Sequence, residues 1–349
     1  MTVSRAFGHT AKRVLPVALL PLAASLAAAP APGDEPTRRL PERLEHYVSA
    51  TVRLTAAERA QLFAGAPVTR MLDADPGREV AVFGAIWLDA PARAYVEAVS
   101  DIEAHERGGA YLATKRLGDP ARAEDFASLR LPDGDVRDLR DCRVGDCAVK
   151  LDQPTIEAIR AAAGRAEGAF RERALALVSG YRARGNAALP VYRDKPEPAA
   201  VAFELQALAA RLPPIAAGVP AVRRYLIDYP RAPIPDARDF VYWQLAKFGL
   251  KPTVRISHVV IDERPDATIV ASKMLYASHY FIAAVELRVL TPDPSRGPGV
   301  WLMTVSRSRA DGLGGLKGLL MRGRVQSQVR TSLARSLVSS KARLEARGR

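Results

Sequence analysis

The 349-residue chain has two cysteines, five histidines and three tryptophans. So few cysteines exclude a disulfide-rich scaffold, and no second Cys pair or nearby His completes a zinc site around them. The G-x-S-x-G elbow of many hydrolases is absent. His105-Glu106 lacks the second histidine of H-E-x-x-H, which removes the zinc-protease motif. Gly312 to Gly318, GLGGLKG, lacks both the spacing and the terminal Ser/Thr of a P-loop; it reads as a flexible entry to the segment that follows, or a hinge. No stretch after residue 29 approaches 18 uninterrupted apolar residues, so the body contains no expected membrane helix. No constellation compels an enzyme assignment, and none implies a cofactor or a metal.

The start of the chain is more informative. Arg5, Lys12 and Arg13 precede an apolar stretch from Val14 to Ala29, and Ser25-Leu26-Ala27 fits the small-x-small cleavage rule. Residues 1–29 therefore read as a cleaved signal peptide, placing the working protein in the periplasm or otherwise outside the cytoplasm. The alternative is a retained anchor, which Pro16, Pro21 and the short apolar length disfavour. Export changes how Cys142 and Cys147 read. Their C-x4-C spacing flanks Val144-Gly145-Asp146, a turn sequence, and an oxidising compartment would join them in a structural disulfide across a hairpin.

Charge is uneven. The net is +13, yet residues 305–349 hold eleven basic side chains against Asp311 and Glu345. Nucleic acid is a poor partner for an exported chain. An anionic membrane surface is the better one, with Arg322, Arg324 and Arg330 as candidate contacts. The plainer reading of the same residues is a solvated helix face.

The chain divides as follows. Residues 30–78 are a linker and N-terminal helices, with a capping box at Thr55-Ala56-Ala57-Glu58. Glu79 to Leu88 is a strand, and Asp89-Ala90-Pro91 starts a helix running to about His105. Phe126 to Leu131 and Val136 to Leu151 suggest two more strands. Residues from about 153 to 212 are Ala-rich with helical spacing, a helical pair inserted between strands. From Phe240 onward β-branched and aromatic residues dominate through Ser306, with a break expected near Ala277-Ser278. Leu316, Leu320, Val325, Val329, Leu333, Leu337 and Leu344 then mark the apolar stripe of a long terminal helix.

Three features, EVAVFGAIWLDAPARAYVEAV, the strands from Thr253 to Ser306 and the closing helix from Leu313, together resemble the START-like or SRPBCC superfamily, which includes polyketide cyclases and lipid-transfer proteins. Segments such as PTVRISHVVI and SKMLYASHYF also resemble those of exported bacterial proteins. The resemblance covers most of residues 79–345. It implies an α+β helix-grip fold: a curved antiparallel sheet around a long C-terminal helix, with a largely apolar cavity between them for a hydrophobic small molecule or lipid. The superfamily has no universal catalytic residues, so none is carried over.

The candidate cavity residues are polar or aromatic groups in the β-rich region: His258, Lys273, Tyr276, Ser278, His279, Tyr280, Trp243 and Trp301. Regular alternation puts Tyr276, Ser278 and Tyr280 on one face, with Lys273, Leu275 and His279 opposite. Strand histidines act as general bases in some sites, and a cyclase- or hydrolase-type reaction at His258 or His279 is the alternative to simple binding. More often such histidines are hydrogen-bonded core residues. A third reading is a non-catalytic interaction protein of the envelope whose interior is filled by side chains.

Overall fold

The computed structural model describes residues 39–162, 164–247 and 251–347. The signal peptide expected over 1–29 and the linker up to residue 38 lie outside the described residues. Two helices come first, α1 (Glu42–Tyr47) and α2 (Ala56–Phe63). The capping box forms as the sequence predicts: Glu58 N–H donates to Thr55 Oγ1 at 3.2 Å and Thr55 N–H donates to Glu58 Oε2 at 2.9 Å. Strands β1 (Val68–Met71) and β2 (Glu79–Leu88) follow, then α3 (Ala92–Ser100) and α4 (Ile102–His105). The expected single helix is broken at Asp101, whose carboxylate caps α4 by accepting from Ala104 N–H at 3.3 Å.

The region after α4 differs from expectation. Strand β3 is Tyr111–Arg116, and residues 126–151 hold no strand among those described. Asp133–Asp141 is a helix, α5, with Asp133 and Asp135 in its first turn and Arg140 in its last. That charge order suits the helix dipole, and Val136 and Leu139 share one face at three-residue spacing. Cys142 and Cys147 do form a disulfide. It closes a turn after a helix, where Arg143 and Asp146 bridge, instead of joining two hairpin strands. The small loop it closes makes its worth modest. Replacing both cysteines with alanine is expected to lower unfolding free energy in urea by about 1–2 kcal/mol, leaving circular dichroism of the native state unchanged.

The insertion contains three helices, not two: α6 (Gln153–Ala161), α7 (Ala166–Arg184) and, after the short strands β4 (Val191–Tyr192) and β5 (Ala199–Ala200), α8 (Val201–Ala209). Gly185 ends α7 with φ +61°, and a Cβ there would sit 1.6 Å from the carbonyl oxygen of Tyr229, so only glycine fits. Helix α9 (Val219–Asp228) leads into five consecutive strands: β6 (Arg238–Lys247), β7 (Pro252–Glu263), β8 (Thr268–Ala277), β9 (Phe281–Pro292) and β10 (Val300–Ala310). The break between β8 and β9 falls where the sequence places it. Helix α10 (Gly315–Arg347) closes the chain.

Eight strands make one antiparallel sheet in the order β1-β2-β10-β9-β8-β7-β6-β3. Strands β6 to β10 are a meander. β2 pairs with the last strand and β3 with the first of the meander, so α3 and α4 must cross one sheet face to connect them. Each face carries its own core. On one, Phe83, Trp87, Val285, Leu287 and Trp301 pack with α1, α2 and the insertion helices. On the other, Ile86, Leu88, Val259, Val270 and Leu302 pack with Tyr95 and Val96 of α3 and Leu337 and Leu344 of α10. α10 lies over the β1–β2 side, where Leu333 and Leu337 fill the space above Gly84. Leu320 is not part of that buried stripe; it is 84% exposed.

Candidate functional site

The residues that the sequence singles out fall into two groups, both away from α10. The first is centred on His258 and Lys273, cross-strand partners on β7 and β8. Both are buried beneath the insertion. His258 Nδ1 lies 2.6 Å from the Tyr181 hydroxyl, and its Nε2 faces Asp239 Oδ1 at 3.3 Å. A neutral ring with Tyr181 donating to Nδ1 and the proton on Nε2 fits both neighbours. Asp239 also receives Arg182 and the Tyr225 hydroxyl, each at 2.5 Å. Burial lowers the His258 pKa to about 4, against the pull of Asp239. Lys273 Nζ donates to Asn186 Oδ1 at 2.7 Å and to the Leu226 carbonyl, and burial lowers its pKa to about 7.

The second group lies at the β8–β9 turn. Ser278 is fully buried and its Oγ accepts from Val254 N–H at 3.0 Å. His279 Nε2 meets Asp135 Oδ2 at 2.9 Å, docking α5. Tyr280 takes a positive φ of 61° and its hydroxyl accepts from Lys251 N–H at 2.6 Å. The regular alternation expected along β8 does not hold. A bulge at Ile256/Ser257 puts Ile256 opposite Tyr276 and Ser257 opposite Met274. One residue of β8 is therefore skipped, and Tyr276 points to the same insertion side as Lys273. Tyr276 donates to the Lys150 carbonyl at 2.9 Å and contacts Phe170 and Tyr192. With Phe170 and Ile256 it lines a cavity of about 350 Å3 beside α6 and α7. Trp243 and Trp301 are core: their indole N–H groups donate to the Asp125 carbonyl at 2.8 Å and to Asp293 at 3.0 Å.

The face under α10 carries a different set. Residues directly opposite on neighbouring strands share a face, and the register places Thr114, Gln244 and Arg255 in one row and Arg116, Tyr242 and Ser257 in the next. Ser272, Glu286 and Ser306 form a third row, and Arg288 and Thr304 a pair beyond it. The result is a polar strip running obliquely across β3, β6, β7, β8, β9 and β10. Glu106, at the end of α4, hangs over it. The carboxylate accepts from Tyr242 at 3.1 Å, Thr114 at 3.2 Å and Gln244 at 3.4 Å. Burial raises its pKa to about 7, although Arg255 and Arg288 pull the other way. Arg288 pairs with Glu286 at 2.9 Å, and both side chains remain about a quarter exposed, at 26% and 27%. Tyr95 of α3 lies within electrostatic reach of that pair. A cleft of about 820 Å3 opens on this face beside α3 and α4, lined by Val96, Ile102 and Arg116.

None of these residues except Glu106 is singled out by sequence motifs, and Glu106 only as half of a failed one. The available signal is the repeated polar i, i+2 spacing within apolar strands: Tyr242/Gln244, Arg255/Ser257 and Glu286/Arg288. Among the described residues no cluster of three His, Cys, Asp or Glu side chains is arranged to hold a metal. On α10, Arg322 turns back to the Leu313 carbonyl at 3.2 Å, while Arg324 and Arg330 are exposed. No described helix is long and apolar enough to cross a membrane. No family model and no curated protein matches the chain.

Proposed function

We propose that the chain is an exported binding protein of the helix-grip type, holding a hydrophobic or amphipathic small molecule, such as a lipid, between its sheet and terminal helix. One observation carries this reading. On β9, in the middle of the sheet, Ala283, Val285, Leu287 and Val289 are sealed by the insertion face, whereas Ala284, Glu286 and Arg288 stay partly exposed. A central strand is ordinarily covered on both faces once helices pack above it. Here α3 packs on β9 and α10 lies over β1 and β2, and between them Glu286 and Arg288 keep about a quarter of their side chains exposed. The strand order, with α3 and α4 crossing between the first and last partners of the meander, supports the START-like reading.

The outer side of α10 supports a membrane-facing role for the same protein. Leu320 and Met321 are 84% and 51% exposed, about one turn from exposed Arg324, with exposed Arg330 further along the helix. Apolar tips among arginines suit an anionic bilayer surface.

Native mass spectrometry of the full chain purified from cell envelopes tests the binding reading. A bound species of several hundred daltons, lost on organic extraction and regained from a lipid extract, is the expected result. A protein that carries nothing and takes up nothing overturns it. Co-sedimentation with vesicles checks the membrane part: binding to phosphatidylglycerol vesicles and not to phosphatidylcholine vesicles is expected, weakening with salt.

A further inference from the structure

The insertion does not seal the sheet completely. Between α6, α7 and the strands β7 and β8 it leaves the cavity of about 350 Å3 that Tyr276 lines. Close-packed interiors hold few voids larger than a water molecule, so a space of this size needs a cause in the sequence. The cause is small residues: Ala174 and Gly180 on α7, and Ala188 in the turn after it, all line the cavity. Its buried walls are Phe170, Ile256 and Tyr276, at 3%, 0% and 6% exposure, and the Tyr276 hydroxyl is already spent on the Lys150 carbonyl. These walls belong to the core on the insertion side, whereas Leu337 and Leu344 of α10 belong to the other. The cavity is therefore separate from the site proposed above.

An arginine stands at either end. Arg173 and Arg184 are eleven residues apart on α7, or three turns, so both project to the cavity side, about 16 Å apart along the axis. Arg173 Nε donates to Thr155 Oγ1 at 3.3 Å and so ties α7 to α6. Arg184 folds back over Gly180, with Nη2 3.3 Å from the point where a Cβ on residue 180 would sit. Glycine is unfavourable inside a helix, and here it clears the place that the guanidinium occupies. Arg184 is exposed and meets no carboxylate among the described residues. The acids gather instead around Tyr276, where Asp135, Asp152 and Asp194 lie within electrostatic reach of its hydroxyl. Each is engaged: Asp152 caps α6 by accepting from Thr155 N–H at 3.0 Å, Asp135 meets His279 and Asp194 meets Lys150.

We infer that this cavity is a second binding site, for a compact apolar carboxylate: a ring system packs against Phe170, Ile256 and Tyr276, and its carboxylate points outward to Arg184. The planar guanidinium fork matches the two oxygens of a carboxylate. The acids around Tyr276 repel the charged end from the floor, which fixes the orientation. Size sets the ligand class. A cavity of about 150 Å3 takes up benzene, so the space here suits two fused rings.

Calorimetric titration of the full chain near pH 7 with naphthoate and with its neutral counterpart naphthylmethanol is the test. Naphthoate is expected to bind about three- to tenfold more tightly, a modest ratio because the Arg184 end is open to water. Arg184→Gln should bring naphthoate down to the level of naphthylmethanol and leave the alcohol within about twofold; retained alcohol binding shows that the variant is folded. Ala188→Phe puts a ring into the cavity rim and should weaken both compounds at least about tenfold, with no loss of stability in urea because the ring fills existing space. If the two compounds bind equally, or if Arg184→Gln leaves naphthoate unchanged, the carboxylate assignment is overturned. If neither binds, or if Ala188→Phe changes neither, this cavity is not the site. The binding reading for the α10 face survives each of these results.

Discussion

Glu79→Gln is expected to destabilise the fold by about 3 kcal/mol or somewhat more, the range found when one partner of a buried ion pair is removed. The Glu79 carboxylate opens β2 and is wholly buried, with 0% of its side chain exposed. It accepts from Arg307 at 2.6 Å and from Arg211 at 2.8 Å. Arg309, directly opposite on β10, lies 3.8 Å away and also pairs with Glu204 of α8 at 3.1 Å. Two strands, the residue Arg211 after α8, and α8 itself thus converge on one carboxylate. Glutamine keeps the volume and removes the charge. Arg307, 8% exposed at its side chain, then has no opposing charge there, only the neutral glutamine oxygen and the Asp73 carbonyl at 3.2 Å. Arg211 is 39% exposed and can return to water, which holds the cost to the lower part of the range. Urea unfolding measures the change. A loss below about 1 kcal/mol sinks the idea that this network is anchored at Glu79. Adding Arg307→Met to the variant should recover part of the loss, since the orphaned charge is removed with its partner.

The strands of the meander, the break after Ala277, the capping box at Thr55 and the terminal helix are legible in sequence because each depends on local pattern. Residues 133–141 are not. Their apolar positions are too few to separate a short helix from a strand, and the nearby Cys turn draws the reading toward a hairpin. The two sheet faces are the deeper difficulty. His258, Lys273, Tyr276, Trp243 and Trp301 are all buried, but alternation alone does not say which layer covers each side. That depends on where α3, α4 and the insertion cross. The bulge at Ile256/Ser257 further shifts the phase of β8, which no composition signal announces. The partners of His258 come from Tyr181 on α7 and Asp239 on β6, too far apart in sequence for spacing to connect them. For the same reason the polar strip goes unseen until the register aligns it. Each strand supplies one or two of its residues, and only the sheet makes them a site.

Lys273→Met should remove a pH dependence that the wild-type chain carries above neutrality. Lys273 is 1% exposed, and burial alone lowers its pKa from 10.5 to about 7. The folded state therefore binds fewer protons than the unfolded state between about pH 7 and 10. Stability rises with pH wherever the unfolded chain binds more protons, so this group makes the fold more stable as pH rises through that window. Two other shifted groups act lower. His258, lowered to about 4, adds stability as pH rises toward 6.5. Glu106, raised to about 7 from 4.5, subtracts it between those values. Above pH 7 Lys273 stands clear of both. The wild-type advantage over Lys273→Met in urea unfolding should grow by about 2–3 kcal/mol between pH 7 and about pH 9.5, at 1.4 kcal/mol per unit of unmatched titration. Comparing the two proteins cancels the titration of exposed lysines and tyrosines. The absolute difference at one pH mixes in the lost bonds to Asn186 and the Leu226 carbonyl, so the slope is what tests the claim. A difference that stays flat across the window means that Lys273 keeps its charge in the fold. The ring faces of Tyr181, 4.9 Å from Nζ, and Tyr229, 5.7 Å away, would then be sheltering an ammonium and not a neutral amine.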